Sequence, residues 1–237
     1  MTRRRWIADE FSDNHAALTG PHAEHLAVVL RVRVGQHFEI VAGESPRSGR
    51  VTSITPDRVE FELGEELPQT SSPRVTLLMA VFKFDRMEWA IEKCTELGVT
   101  KIVPMIARRT DSHLAHAAVK RVERWQRIAQ QAAEQSRRTA PPNIEAPVKL
   151  SAAVQMTGGT RIVLSEIERK LFLKDSLAAH SSTEELLLAC GPEGGWSEEE
   201  LVLFSENNWR SASLGNTILR AETAAIAATS VVFSELS

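Results

Sequence analysis

Leu186-Leu187-Leu188-Ala189-Cys190 runs directly into Gly191-Pro192-Glu193-Gly194-Gly195, and after Trp196 comes Ser197-Glu198-Glu199-Glu200. A short apolar run bounded by glycines reads as a buried strand. Ser197 with Glu200 reads as a capping box that opens a helix. A second unit of the same kind comes soon after: Leu214-Gly215-Asn216-Thr217-Ile218-Leu219-Arg220, then an Ala-rich helix over 221–236. Two strand–loop–helix turns so close in sequence are expected side by side, forming one concave site. Glycines let backbone groups approach a ligand without an intervening side chain. Glu193 narrows what that ligand is. Loops that cradle phosphate collect anions with bare N–H groups, and a carboxylate there repels them. The site therefore favours a neutral or cationic nucleoside-like cofactor over a nucleoside polyphosphate. The G-x-x-G-G spacing also matches neither of the familiar nucleotide fingerprints.

Working outward, residues 74–237 alternate strands with longer helices. Strands are expected over 75–82, 100–105 and 160–165. Helices are expected over 86–97, with Met87, Ala90, Ile91, Cys94 and Leu97 on one stripe, and over 116–138, with Ala118, Val122, Trp125, Ala129 and Ala132 inward. Such alternation predicts an α/β fold, a mostly parallel sheet covered by helices. Ligands in such sheets sit at the carboxyl ends of strands, where both glycine loops fall. Residues 1–71 have a different texture: short alternating strands over 37–41, 49–54 and 58–63, and one helix near 23–29. They predict a smaller β-barrel-like domain. The turn-formers at 68–73 mark the boundary, giving domains 1–71 and 72–237.

The chain has 237 residues, ample for one large domain or two smaller ones. No apolar run reaches membrane-spanning length, and Met1 to Trp6 lacks the apolar core of a signal peptide. No membrane partner is expected. Cys94 and Cys190 both sit in apolar patterns, as suits reduced thiols in the cytoplasm. The His22–His25 and His113–His116 pairs have no third ligand nearby, so no metal is expected. The net charge of −3 is unevenly spread: residues 72–150 carry 14 basic and 8 acidic side chains, residues 151–237 carry 6 and 12. A basic middle beside an acidic end points to a polyanionic partner or to a solvated helix face.

Arg220 and Glu222 stand at the mouth of the last helix. They read either as an ion pair closing the helix end or as a guanidinium aimed into the cleft. Cys190 sits where a nucleophile would, yet no histidine or basic side chain is near it in sequence. A non-catalytic RNA-binding protein is a further reading, disfavoured by the intact glycine loops.

Taken together, Gly191-Pro192-Glu193-Gly194-Gly195 and Leu214-Gly215-Asn216-Thr217-Ile218-Leu219-Arg220-Ala221-Glu222-Thr223-Ala224 closely resemble the RsmE family, the 16S ribosomal RNA uridine-N3 methyltransferases of the SPOUT superfamily. The likeness extends through His25-Leu26-Ala27-Val28-Val29-Leu30-Arg31, Lys83-Phe84-Asp85-Arg86-Met87-Glu88, Glu96-Leu97-Gly98-Val99 and Glu134-Gln135-Ser136 with Arg138. Asn216-Thr217 stands where that family usually has Pro-Arg, and Ala221 where it has a hydroxylated residue.

The resemblance implies an α/β SPOUT-type domain whose sheet is mostly parallel and whose carboxyl-terminal chain forms a trefoil knot, after a smaller N-terminal PUA-like β-barrel. It implies S-adenosyl-L-methionine as cofactor, a homodimer, and 16S rRNA as partner, within the small ribosomal subunit; the same fold acting on another RNA position is the alternative. Cofactor contacts are expected from Leu164, Glu166, Gly191, Pro192, Glu193, Gly194, Leu214, Gly215, Ile218 and Leu219. Arg220 is expected to stabilise charge on a uracil oxygen, and Glu193 or Glu222 to take the proton. RNA contacts are expected from Arg3, Arg4, Arg5, Arg31, Arg33, Lys83, Arg86, Arg108, Arg109, Arg137 and Arg138. The chain has no tyrosine, so any base stacking falls to Trp or Phe; Phe82, Phe84 and Trp196, near loop ends, read either as stacking groups or, at least as readily, as core residues.

Overall fold

A computed structural model describes residues 5–43, 45–67, 73–178, 180–181 and 184–236. Arg3, Arg4 and most of the 68–73 linker lie outside the described residues. The chain separates into two compact units, Met1–Ser71 with Ala133–Pro141, and Ser72–Ala132 with Pro142–Ser237.

The first unit contains β1 (Arg5–Ile7), β2 (Glu10–Phe11), β3 (His15–Thr19), α1 (Gly20–Glu24), a π-helical turn at His25–Val29, β4 (His37–Ala42), β5 (Ser45–Ile54) and β6 (Arg58–Glu66). The strand order is β1-β4-β5-β6-β3-β2. Its two ends are successive pieces of one extended segment. Beyond β1, Ala8 N–H donates to Val41 at 2.9 Å, and Asp9 N–H then donates to Ala17 at 3.0 Å. The segment switches partners at that point, so the sheet closes on itself and no long edge is left unpaired. Alternation puts Ile40, Val51, Val59, Phe61 and Leu63 inside with Trp6, Leu18 and Leu26. Strands β1–β3 have no sequence signal of their own: β2 is fully exposed and β1 is too short for a period to register. The helix expected near 23–29 begins earlier, at Gly20, because Pro21 suits a first helical turn.

The second unit continues with β7 (Val75–Ala80), α2 (Phe84–Leu97), β8 (Lys101–Ile106), α3 (Ser112–Ala118), a 3-10 turn at Val119–Arg121 and α4 (Val122–Gln135). Next come β9 (Asn143–Ile144), β10 (Val148–Lys149), α5 (Leu150–Ala153), β11 (Thr160–Leu164), α6 (Leu173–Leu177), β12 (Leu186–Cys190), α7 (Glu198–Glu206), β13 (Arg210–Ala212) and α8 (Ala221–Leu236). Every pairing in this sheet is parallel, in the order β10-β8-β7-β12-β11-β13, with β9 also on β8.

Helices cover both faces, which is why β7 and β12 read as unbroken apolar runs. One face buries Leu77, Met79, Leu186, Leu188 and Cys190 under α2, α4 and α8. The other buries Leu78, Ala80, Leu187 and Ala189 with Trp196, Phe204 and Trp209. The helical run expected over 116–138 starts at Ser112 instead, because the Asp111 side chain accepts the His113 N–H at 2.8 Å and caps it there. Since β12 lies between β7 and β11, the carboxyl ends of β12, β11 and β13 stand in a row.

Candidate functional site

Three loops leave those strand ends. After β11 the chain runs through Ser165 and Glu166 to Arg169; after β12 comes the 191–195 turn; after β13 comes 213–219. All three line one cavity of about 230 Å³. Leu164, Glu166, Gly191, Pro192, Glu193, Gly194, Leu214, Gly215, Ile218 and Leu219 are all in its wall, with Ser165, Arg169, Trp196, Asn216 and Thr217.

Local chemistry fixes each loop. Ser197 accepts the Glu200 N–H at 3.3 Å and Glu200 accepts the Ser197 N–H at 2.8 Å, so the expected capping box is present. The same Glu200 carboxylate also accepts the Arg108 backbone N–H at 2.7 Å, tying the loop after β8 to the start of α7. The Ser213 hydroxyl accepts the Gly215 N–H at 3.2 Å and donates to the Gly215 carbonyl at 3.0 Å, shaping the turn after β13. Main-chain bonds from Ser213 to Leu171 and from Leu173 to Ser213 join that turn to the loop after β11.

Two features of the wall ask for a ligand. The Ser165 hydroxyl is buried in it and has no hydrogen-bond partner. A Cβ added at Gly215 meets nothing within 4 Å, leaving backbone bare toward open space. The remaining surface mixes apolar groups with the Glu193 and Glu166 carboxylates, which suits a nucleoside carrying a positive centre better than a polyphosphate.

The charged residues are arranged differently from expectation. Glu222 does not pair with Arg220. Its counter-charge is Arg86 of α2, whose Nη1 lies 3.6 Å from Glu222 and 3.2 Å from Glu193. Arg220 is exposed, is absent from the cavity wall and makes no ion pair among the described residues; its carbonyl accepts the Ala224 N–H at 2.8 Å as the last residue before α8. It stands between Leu219 and Ala221, which do line the cavity. Glu222 is buried and outside the wall, whereas Glu193 is exposed within it.

Trp196 and Phe82 are core residues, unavailable for stacking on a base. Trp196 packs edge-on against Phe204 at 5.0 Å, and its Nε1 donates to the Leu164 carbonyl. The Phe84 ring is capped by the Arg121 guanidinium at 4.8 Å. Cys94 and Cys190 are buried free thiols, and burial pushes both up, Cys94 to about 12. A nucleophilic Cys190 is thereby disfavoured.

Among the basic residues, Arg31, Arg33 and Lys83 are exposed and free of acidic partners among the described residues. Arg108 pairs with Glu199 at 2.9 Å, and Arg109 donates to the Gly194 carbonyl at 2.6 Å. In the first unit, Glu39 binds Arg5 at 3.2 Å and Arg137 at 3.4 Å. Arg138 is half-buried, and the desolvation pulls its guanidinium down to about 10. No group of three or more His, Cys, Asp or Glu side chains suited to a metal occurs among the described residues. None of their helices is long and apolar enough to cross a membrane.

A family model for an RNA methyltransferase domain matches residues 69–233. The ribosomal RNA small subunit methyltransferase E of Rickettsia conorii is 32% identical over 211 residues, 87% of this chain and 84% of that protein. The chain belongs to the small subunit methyltransferase E family. The Bacillus subtilis member is 30% identical over 233 residues, covering 91% of this chain and 88% of its own length. A crystal structure of the Neisseria gonorrhoeae member, bound to S-adenosyl methionine, superposes with a TM-score of 0.85 at 29% identity, covering 98% of this chain and 97% of that one. The architecture is thus the α/β SPOUT type with a smaller N-terminal barrel. Sequence reasoning missed Ser165 and Arg169 in the wall. Both follow β11, whose loop has no glycine signature to mark it.

Proposed function

We propose that this protein transfers the methyl group of S-adenosylmethionine to N3 of a uridine in 16S ribosomal RNA. We further propose that it works as a homodimer on the small ribosomal subunit in the cytoplasm, with its carboxyl-terminal chain threaded as a trefoil knot. One observation carries this reading: the two glycine turns and the Glu166 loop converge on a single cavity of nucleoside size that contains an unpartnered hydroxyl. The residues present fit the cofactor. Main chain at 191–195 and 214–219 holds the adenosine, Leu164, Leu214 and Leu219 pack on it, and the Ser165 hydroxyl gains a partner. Bound S-adenosylmethionine supplies a methyl group already activated on a sulfonium centre.

The protein's part is then positioning and electrostatics. Uridine N3 is an imide N–H at neutral pH, so its proton must leave for the lone pair to attack in line. Glu193, in the wall, or Glu222, behind it, accepts that proton. Arg220, at the rim between two wall residues, meets the negative charge that develops on a uracil oxygen. Arg31, Arg33 and Lys83 bind RNA phosphates, together with Arg5, Arg108, Arg109, Arg137 and Arg138 where the contacts they already make leave them reach.

The deciding experiment maps modified nucleotides by mass spectrometry in small-subunit RNA from cells with and without the protein. Loss of one N3-methyluridine supports the reading; intact N3-methyluridine with loss of a different methyl mark gives the fold another target. Equilibrium dialysis with labelled S-adenosylmethionine separates an enzyme from a non-catalytic RNA binder.

A further inference from the structure

We infer that Arg86 is a positioning residue that sets the two carboxylates of the site, and is not a phosphate contact; the inference rests on the methyltransferase reading. Arg86 sits in the first turn of α2, next to Met87 of the core, whose N–H donates to the Lys83 carbonyl at 2.9 Å. Its backbone is therefore fixed. Its Nη1 donates to Glu193 Oε1 at 3.2 Å and lies 3.6 Å from Glu222 Oε1. One nitrogen thus links an acid of the first glycine turn to an acid at the start of α8.

The burial pattern shows which way the dependence runs. The Glu222 side chain is 7% exposed, against 38% for Glu193. Glu222 Oε2 has no hydrogen-bond partner, so its charge leans on Arg86. A buried carboxylate stripped of its counter-charge is strongly disfavoured, and the chain moves or takes up a proton to escape it. Ala221 and Ala224, on either side of Glu222, line the cavity, so any shift of the start of α8 reshapes the wall. Glu193, held by the same guanidinium, lines the cavity directly.

Charge argues against an RNA role. One guanidinium between two carboxylates leaves the cluster net negative, which repels phosphate. Lys83, three residues earlier, is exposed and free of acidic partners among the described residues, and is available for that role. The two acids then divide their work: Glu193 is the carboxylate that substrate reaches, and Glu222 acts through Arg86.

The test compares Arg86→Gln, Arg86→Lys, Glu222→Gln and the Arg86→Gln/Glu222→Gln double variant with the parent protein. In steady-state assays well below the melting temperature, Arg86→Gln lowers kcat about 100-fold while the KM for RNA stays put. Calorimetry with S-adenosylhomocysteine shows weaker binding for the same variant, and Arg86→Lys restores most of both losses. The slope of log RNA affinity against log salt is unchanged. In thermal unfolding without ligand, the double variant regains much of the stability that Arg86→Gln loses. A salt slope shallower by about 0.7–0.9, with kcat and S-adenosylhomocysteine affinity at parent values, makes Arg86 a phosphate contact and overturns the inference. A lowered melting temperature with kcat and binding unchanged overturns it as well, leaving a purely structural ion pair. If the parent protein neither binds S-adenosylhomocysteine nor methylates small-subunit RNA, the methyltransferase reading fails. The melting cycle still decides the coupling then, and its absence sinks the Arg86 assignment.

Discussion

The indole Nε1 of Trp196 donates to the main-chain carbonyl of Leu164 at 2.8 Å, joining the end of β11 to the start of α7 beneath the cavity. Both residues are buried, so this carbonyl has little access to water. Replacing Trp196 with Phe keeps a ring against Phe204 but orphans the carbonyl, at a cost of about 1–3 kcal/mol. Chemical denaturation is expected to show that loss, and calorimetry weaker binding of S-adenosylhomocysteine, because two of the three loops lose their tie.

Gly195 adopts a left-handed backbone, φ 69°, and a Cβ there meets Glu166 Oε1 at 2.2 Å. The carboxylate is the free end of an exposed side chain and swings aside, so the stability cost of Gly195→Ala is mainly backbone strain, about 1–2 kcal/mol. Displacing Glu166 from the cavity wall makes the effect on cofactor binding the larger one. Equal binding in parent and variant removes Glu166 from the cofactor site.

Arg220 is exposed and has no ion-pair partner among the described residues, so Arg220→Ala is expected to leave stability within about 0.5 kcal/mol of the parent. Turnover falls far more than cofactor affinity does. Collapse of cofactor affinity with intact turnover at saturation assigns Arg220 to binding instead.

Cys190→Ala is expected to retain methylation activity, since the thiol is buried at a strand end and its pKa is raised by desolvation. In the native protein at pH 8, neither cysteine reacts readily with a thiol-specific chromophoric disulfide; both react after unfolding. Rapid native labelling of Cys190 reopens the nucleophile reading.

His180 contributes acid sensitivity. Burial lowers its pKa, its Nδ1 lies 2.9 Å from the Thr160 hydroxyl and its Nε2 is buried without a partner. A histidine held below its ordinary value binds a proton more readily when unfolded. Stability is therefore full above about pH 6.5 and declines as pH falls through that value toward the native pKa. The melting temperature of His180→Gln should fall less than the parent's between pH 7.5 and 5.5; parallel curves rule out this source.

Much of the second unit was legible in the chain. β12 spans Leu186–Cys190 as expected, and the Ser197–Glu200 capping box is present atom for atom, because both depend on residues within a few positions of one another. The stripe on α2 buries Met87, Ala90, Ile91 and Cys94, since a helical period survives in sequence. Strands β1 and β2 were not legible: short pieces that close a barrel draw their stability from distant partners and carry little pattern of their own. For Phe82 and Trp196, near loop ends, the chain left stacking and core roles both open, because an aromatic residue beside a loop has the same letter whether it turns inward or outward; the structure buries both.

By itself the sequence determined the longer elements, the parallel sheet and the two glycine turns, because local period, capping and turn chemistry are written in neighbouring residues. Only tertiary structure decided the strand order that sets the ends of β12, β11 and β13 in a row, and with it the third loop of the cavity. It also decided which cation faces which acid. Arg220 is next but one to Glu222 in the chain, yet Arg86, more than a hundred residues away, holds it. Ion pairs depend on distance and burial in space, and sequence separation encodes neither.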